Sequence, residues 1–280
     1  MPTPKTSDSD GRPAPERSRR PWAVVPVKAP REAKTRLAPV LSEDERGRLV
    51  EHMLDGVLAA LGGSEQLAGI LVITPDPGIA ELAARHGASV LEESRSGLNT
   101  AIRQACEHLR RRGAGAMLVL PGDLPLLSTD SVDRLIAEAP ATLRSVVVAP
   151  DASRIGTNAL LCSPPGLVDP AFGAPSFEQH CARARDAGAE LAIVTLPELA
   201  LDLDEPADVG AILRLARGVG PDRAAACRTI RFLEELDIAR RLASRDGGSR
   251  FECPDPESPE PQSPEPECQN LQSRHPVRDP

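Results

Sequence analysis

Short runs of aliphatic and β-branched residues alternate along this chain with longer segments whose apolar residues recur every three or four positions. That alternation decides the class of fold. Trp22-Ala23-Val24-Val25-Pro26-Val27 reads as a first strand. Ser42, with Glu45 three residues on, then forms a capping box for a helix striped by Leu49, Val50, Met53, Leu54, Val57 and Leu58 and ended by Gly62-Gly63. Ile70–Thr74 is the next strand, and a helix through Ile79, Leu82 and Ala83 stops at Gly87 in the left-handed conformation glycine adopts freely. Ser89-Val90-Leu91 is a short strand, Leu98 to Arg112 a helix with Ile102, Ala105 and Leu109 inward, and Met117–Leu120 a strand. Ser128 caps the helix that follows. Strand, helix, strand in this order implies right-handed crossovers and a mostly parallel sheet.

The rhythm changes once. Ser145–Ala149 and Asn158–Cys162 are two strands joined by a short loop, which predicts an antiparallel pair and hence a mixed sheet. A helix over 176–187, a strand over Leu191–Leu196 and a helix over 205–217 complete an α/β unit with helices flanking the sheet. A single domain of this size buries about 70% of its unfolded surface and needs no staples. The organisation expected is a disordered segment over 1–20, one domain over 21–218, a helical extension over 219–248 and a disordered acidic, Pro-rich tail over 249–280. Ile230, Leu233, Leu236 and Leu242 predict one amphipathic helix in the extension.

Composition removes several function classes. No window approaches the ~18 apolar residues of a membrane span, and the first residues lack the apolar stretch of a secretory signal. Six cysteines are scattered without C-x-x-C spacing, which points to neither zinc nor disulfides. A cytoplasmic protein is the simplest expectation. Aromatics make up 2% of the chain and tyrosine is absent, so the stacking platforms of single-stranded nucleic acid binders are missing. The net charge of −8 belongs largely to the tail, where 252–268 carries six acidic residues and no Lys or Arg.

Chemistry concentrates at strand ends. Leu120-Pro121-Gly122-Asp123-Leu124-Pro125 breaks a buried strand and delivers a carboxylate to the carboxyl edge of the sheet, where open α/β folds bind ligands. A local turn is the plainer use for Asp123, but the apolar neighbours argue against an exposed turn. Asp202-Leu203-Asp204 presents two carboxylates on one side of an extended segment. N-capping of the next helix by Asp204 or Glu205 is the competing explanation. Three acids so placed suggest a divalent cation, and hence phosphate chemistry. Lys28, Arg31, Lys34 and Arg36 leave the first strand with no Walker-type glycines, so their side chains would have to neutralise phosphate themselves. The Asp151–Asn158 connection suits an anion or merely a tight turn. Phe172-Gly173 leads into a helix start expected to be capped by Ser176. His52, His86, His108 and His180 lack ligand spacing and read as surface or packing residues.

Taken in order, Val-Pro-Val-Lys28, Ala33-Lys34-Thr35-Arg36-Leu37, Gly97-Leu98-Asn99, Leu120-Pro-Gly-Asp123, Gly156-Thr157-Asn158, Phe172-Gly173 with Ser176-Phe177, and Leu201-Asp202-Leu203-Asp204 resemble one family. It is the 2-phospho-L-lactate/phosphoenolpyruvate guanylyltransferases of the deazaflavin coenzyme (F-420) pathway, and the resemblance spans about residues 22–217. It implies a nucleotidyltransferase fold of GT-A type, and a reaction joining GTP to phosphoenolpyruvate, 2-phospho-L-lactate or 3-phospho-D-glycerate with release of pyrophosphate. By motif position, Asp123, Asp202 and Asp204 would hold magnesium, taken as two ions. Lys28, Lys34 and Arg36 would hold the triphosphate of GTP, with Asp123 and Lys34 central to catalysis. Leu98 and Asn99 would lie near the nucleotide or the second substrate, with GTP the assignment taken, and Thr157, Gly173 and Ser176 would hold the phosphoacid. The partners implied are small molecules, not nucleic acid or membrane, and a homodimer is compatible. The loop Ser153-Arg154-Ile155-Gly156 carries less glycine than the family usually has there, and Pro175 stands where a small residue or glycine is common. Two rival readings are a sugar-nucleotide transferase of related fold, which usually wants aromatic platforms for its sugar, and a catalytically inactive nucleotide-binding domain.

Overall fold

The computed structural model describes residues 20–30, 33–218 and 228–246. One seven-stranded sheet carries the architecture. Its strands are β1 (Pro21–Pro26), β2 (Gly69–Thr74), β3 (Ser89–Glu92), β4 (Ala116–Val119), β5 (Ser145–Pro150), β6 (Thr157–Ser163) and β7 (Glu190–Ile193), in the spatial order β3-β2-β1-β4-β6-β5-β7. β6 runs antiparallel to both of its neighbours, and every other pairing is parallel. The sheet is therefore mixed and mostly parallel, as the change of rhythm after β4 predicts.

Helices α1 (Glu43–Gly62), α2 (Pro77–Arg85), α3 (Leu98–Arg111), α4 (Thr129–Ala137) and α5 (Ser176–Asp186) cover the two faces. The period-2 alternation of the strands assigns the layers. Ala23, Val25, Val72, Leu118, Leu120, Val147 and Leu161 pack with Leu54, Leu58, Ile79 and Val132 of α1, α2 and α4. Val24, Leu71, Ile73, Met117, Val119, Val148 and Leu160 pack with Ile102, Leu109 and Phe177 of α3 and α5. Buried on both sides, the strands read as continuous apolar runs. Capping boxes at Ser42 and Ser128 start α1 and α4, the second completed by Ser131. Cys106, Cys162 and Cys181 are buried free thiols, and burial pushes Cys162 up to about 12, which makes it unreactive.

Two differences from the sequence reading have clear causes. β7 ends at Ile193, and Pro197 instead opens the short helix α6 (Pro197–Ala200), which buries Leu199. The C-terminal segment is two helices, α8 (Arg228–Glu235) and α9 (Ile238–Asp246), because Asp237 adopts φ 48° between them. With α7 (Pro206–Gly218) they close a third apolar cluster around Leu37, Leu49, Met53, Leu203, Ile212 and Phe232. The expected disorder of 1–20 (apart from Arg20) and 249–280, and the stretches 219–227 and 247–248 of the expected extension, lie outside the described residues.

Arg241 fastens α9 to the start of α1. Its guanidinium donates to both carboxylate oxygens of Glu45 at 3.0 and 2.9 Å and to the Val40 carbonyl at 3.2 Å. The Arg241 hydrogen bond holds Glu45 down at about 2, well below the usual carboxylate range. A bidentate but partly exposed pair of this kind contributes about 1 kcal/mol. Arg241→Met should lower the melting midpoint by about 2–4 °C, which calorimetry would detect.

Candidate active site

β1 and β4 are neighbours, with Val24 opposite Val119, and both continue one residue beyond the ladder. Val27 N–H donates to Ile73 O, and Leu120 N–H to Val24 O. The chain leaving β1 towards Lys28 and the Pro121-Gly122-Asp123 break leaving β4 therefore emerge side by side at the carboxyl edge. The strand order reverses here, β2 lying to one side of β1 and β4 to the other. Space is tight: a Cβ on Gly122 would meet side-chain atoms of Leu54 and Val27 at 3.4 Å.

A third segment is drawn in by one backbone bond, Leu203 N–H to Asp123 O at 3.3 Å. Leu203 is fully buried in the third apolar cluster, so the alternation of an extended chain sends Asp202 and Asp204 to the opposite side, towards Asp123. Carboxylate oxygens of Asp123, Asp202 and Asp204 all lie within 4.8 Å of one another. Among the described residues, the side-chain hydrogen bonds at the start of α7 are made by Asp208 and not by Asp204 or Glu205. Asp208, in the first turn of α7, reaches back to accept from the backbone N–H groups of Asp204 and Glu205 at 2.9 and 2.7 Å. This leaves the Asp204 carboxylate free for the site.

Lys34 enters from the β1 loop in the left-handed conformation (φ 56°), and its side chain is only 6% exposed. Its Nζ lies 2.5 Å from Asp123 Oδ2 and 2.5 Å from Asp204 Oδ1. Burial alone would lower the ammonium pKa, but the two carboxylates together outweigh it and hold the group above its ordinary value. Asp202 is also raised, but for an acid that disfavours the charged form. Burial, then the charge of Asp123, pushes it up to about 6. Asp123 Oδ1 is buried with no hydrogen-bond partner. An orphaned carboxylate oxygen beside a carboxyl that resists ionisation is a donor set short of positive charge, and it fits a hard divalent cation with oxygen ligands.

This electrostatic strain gives a pH prediction. Between the ordinary carboxyl value of 3.8 and about 6, folded Asp202 keeps a proton that the unfolded chain has released. Stability from this group is therefore present at low pH and lost as pH rises through that window. Above it the carboxylates are crowded, and a cation relieves them. Manganese should raise the melting midpoint clearly at about pH 7.5 and much less near pH 5, where it competes with the proton. Equal shifts at the two values would count against Asp202 as a ligand.

A cleft of about 440 Å³ opens beside these groups, lined by Lys28, Lys34, Arg36, Leu98, Asp123 and Asp204 among others. Lys28 is exposed, and Arg36 Nη1 pairs with Glu205 Oε1 at 2.8 Å on the surface. Arg31 lies outside the described residues. Leu98 opens α3, and the next residue, Asn99, is committed to the 172 loop. Its Nδ2 donates to Phe172 O at 3.0 Å, and its Oδ1 accepts from Phe172 N–H at 2.8 Å. The structure thus sets the Phe172-Gly173 turn one residue from the cleft wall, with Gly173 at φ 112°.

Thr157, Gly173 and Ser176 are not among the residues lining that cleft; Thr157 opens β6 and Ser176 opens α5, whose Phe177 N–H donates to Ile155 O at 3.1 Å. Asp151 builds the connection before Thr157, accepting from Ile155 N–H at 2.9 Å and from Ser153 Oγ, and a Cβ on Gly156 would approach Asp151 Oδ2 to 2.9 Å. Ala152 N–H donates to Ala200 O, and Asn158 Nδ2 to Leu199 O, which ties this loop to the segment leading into Asp202. Arg154 takes a left-handed φ of 58° and lays its guanidinium 4.8 Å over the Phe177 ring. That stacking, at about 0.5–1 kcal/mol, offsets much of the backbone cost. Ser176 is not the cap expected. It is the first helical residue, behind Pro175, and no side chain caps α5. His180, read from the sequence as a surface or packing residue, is fully buried and bonded to Thr157, a partner that reading did not give it. The available signal was its spacing, four residues from Ser176 and so on the same helix face.

Comparison with known proteins agrees with this fold. Among solved structures, a chain from Desulfovibrio desulfuricans G20 described as a nucleotide-diphospho-sugar transferase superposes with a TM-score of 0.65 at 16% identity, over 81% of this chain and 98% of its own. A 4-diphosphocytidyl-2C-methyl-D-erythritol synthase gives 0.50 at 17% identity, over 70% and 97%. At such identities the likeness is one of fold, the GT-A-like fold of nucleotidyl transfer.

The family model described as guanylyl transferase CofC like matches residues 22–242, through α8 into α9. Phosphoenolpyruvate guanylyltransferases from Sphaerobacter thermophilus and Rubrobacter xylanophilus are 43% and 42% identical, each over 67% of this chain and over 89% and 91% of their own. The one from Conexibacter woesei is 36% identical over 77% and 96%. The chain belongs to the CofC-like guanylyl transferase family, and it is a guanylyltransferase. Among the described residues no helix is long and apolar enough to cross a membrane.

Proposed function

We propose that this guanylyltransferase joins the GMP moiety of GTP to phosphoenolpyruvate and releases pyrophosphate, in the pathway to the deazaflavin coenzyme F-420. The observation that carries the reaction type is the convergence of Asp123, Asp202 and Asp204 around the Lys34 ammonium at the sheet edge. The choice of acid rests on the relatives, named for phosphoenolpyruvate at 36–43% identity. In this reading Asp123, Asp202 and Asp204 would hold magnesium, which when bound neutralises triphosphate oxygens and the departing pyrophosphate.

The acid's phosphate is already anionic at neutral pH, so a phosphate oxygen attacks the α-phosphorus without a general base. The new P–O bond forms as the bond to pyrophosphate breaks, and pyrophosphate leaves with the electron pair. What the chain must supply is suppression of anion–anion repulsion and in-line alignment. Lys34, Lys28 and Arg36 supply cations to the triphosphate, Leu98 and Asn99 lie near the nucleotide, and Thr157, Gly173 and Ser176 bind the acid's phosphate and carboxylate. Two features favour the last set: the Ser176 hydroxyl makes no hydrogen bond to a described residue, and the α5 amino terminus has no side-chain cap.

The test is pyrophosphate release by purified protein with GTP, magnesium and, separately, phosphoenolpyruvate, 2-phospho-L-lactate and 3-phospho-D-glycerate, with mass detection of the diphosphate product. Fastest turnover with phosphoenolpyruvate supports the reading. Turnover only with sugar phosphates, or GTP binding without release for any acid, overturns it.

A further inference from the structure

His180 connects the loops assigned to the phosphoacid. It is fully buried on α5, with Nδ1 3.0 Å from Thr157 Oγ1 and Nε2 3.0 Å from the backbone N of Ala171. A peptide N–H can only donate, so Nε2 is the acceptor and the proton of the neutral ring is on Nδ1. Nδ1–H therefore donates to Thr157 Oγ1. The threonine oxygen receives a bond from behind, and its own hydroxyl proton must be donated elsewhere. No other described residue bonds to that hydroxyl.

Protonation of His180 would set two donors, Nε2–H and Ala171 N–H, against each other. Burial, with Arg183 adding to it, lowers the group to about 4, so the single tautomer holds at neutral pH. The ring is held from a third side by Phe172, edge-on at 4.9 Å between centroids. Phe172 is in turn gripped at its N–H and C=O by Asn99. One imidazole thus braces the Thr157 strand start against the turn that presents Gly173.

We propose that His180 is a positioning residue that makes the Thr157 hydroxyl an obligate hydrogen-bond donor towards the phosphoacid, and so sets the affinity for that substrate rather than for GTP. This deepens the proposed function and rests on its assignment of Thr157 to the acid.

Two conservative variants separate the two ring nitrogens. In His180→Asn the side-chain amide N–H replaces Nδ1–H, whereas in His180→Gln the amide oxygen replaces the Nε2 acceptor and the bond to Thr157 is lost. His180→Gln should raise KM for phosphoenolpyruvate about tenfold, as loss of one hydrogen bond to a charged group does, with KM for GTP within about twofold. His180→Asn should keep the acid KM within about threefold. Thr157→Val should raise the acid KM by itself, and adding His180→Gln to it should change KM no further.

If Thr157→Val leaves the acid KM unchanged, the assignment of Thr157 fails. If Thr157→Val raises it while His180→Gln alone does not, or the two effects simply add, the positioning role fails alone. Nitrogen NMR of the unsubstituted protein provides a reading independent of how the variants fold. An Nδ1–H tautomer that persists from about pH 5 to 9 and shifts when phosphoenolpyruvate binds is expected; an Nε2–H tautomer overturns the proposal.

Discussion

Asp123→Asn should cut guanylyl transfer about a thousandfold, ~4 kcal/mol of barrier, in a protein that melts close to the parent. The substitution keeps the shape and leaves the backbone bond from Leu203 N–H to Asp123 O intact, so the segment carrying Asp202 and Asp204 stays docked. The chemistry of the two oxygens changes. Oδ2 faces the Lys34 ammonium at 2.5 Å, and Oδ1, buried without a hydrogen-bond partner, is left for the cation the three acids would hold. Both places want an acceptor. An amide has one oxygen and one NH₂ group, so either orientation aims a donor at a cation. Because the cation that Asp123 would help to hold stabilises the triphosphate most as pyrophosphate departs, the loss should appear in kcat more than in KM for GTP. Single-turnover rates with a melting curve as control would decide the matter. Near-parental turnover in a folded Asp123→Asn protein would remove this carboxylate from the reaction.

The framework around Asp123 was legible because local chemistry specifies it. The capping box at Ser42 and the cap at Ser128 need only neighbours three residues away, and the apolar run before Pro121 makes a buried strand in almost any context. The antiparallel pair β5–β6 followed from two strands too close in sequence for a crossover. Asp202 and Asp204 share a side because Leu203 between them is apolar, an alternation visible in three letters. What the sequence hid are the choices made by partners distant in the chain. His180 sits on an amphipathic helix as any packing residue might, and its meaning comes from Thr157, 23 positions earlier, and Ala171, nine positions earlier. Asp208, not Asp204 or Glu205, reaches back to the start of α7, a competition among acids that spacing alone does not decide. The break at Asp237 sits inside an apolar period that continues across it, so periodicity predicts one helix where the backbone makes two. Lys34 is the instructive case. Its basic neighbours suggest phosphate, and nothing in the loop announces that its ammonium rests between two carboxylates.

That resting place predicts opposite effects from Lys34→Met, a substitution of similar length that removes the charge. Turnover should fall about a hundredfold, ~2.7 kcal/mol, because the cation that screens the triphosphate is gone and GTP binding weakens with it. Manganese affinity without nucleotide should rise, by about tenfold, because the ammonium at 2.5 Å from Asp123 Oδ2 and Asp204 Oδ1 opposes a second cation among the same oxygens. Metal-free protein should melt lower than the parent, since Asp123 and Asp204 then face each other without a counter-charge in a part-buried site. Added manganese should recover most of that loss. Calorimetric titration with manganese, melting curves with and without the ion, and pyrophosphate release give three readouts that a generally damaged fold would move in one direction. Weaker manganese binding in the variant would mean that Lys34 organises the carboxylates instead of competing for them. Parental turnover would leave the ammonium with no part in handling the triphosphate.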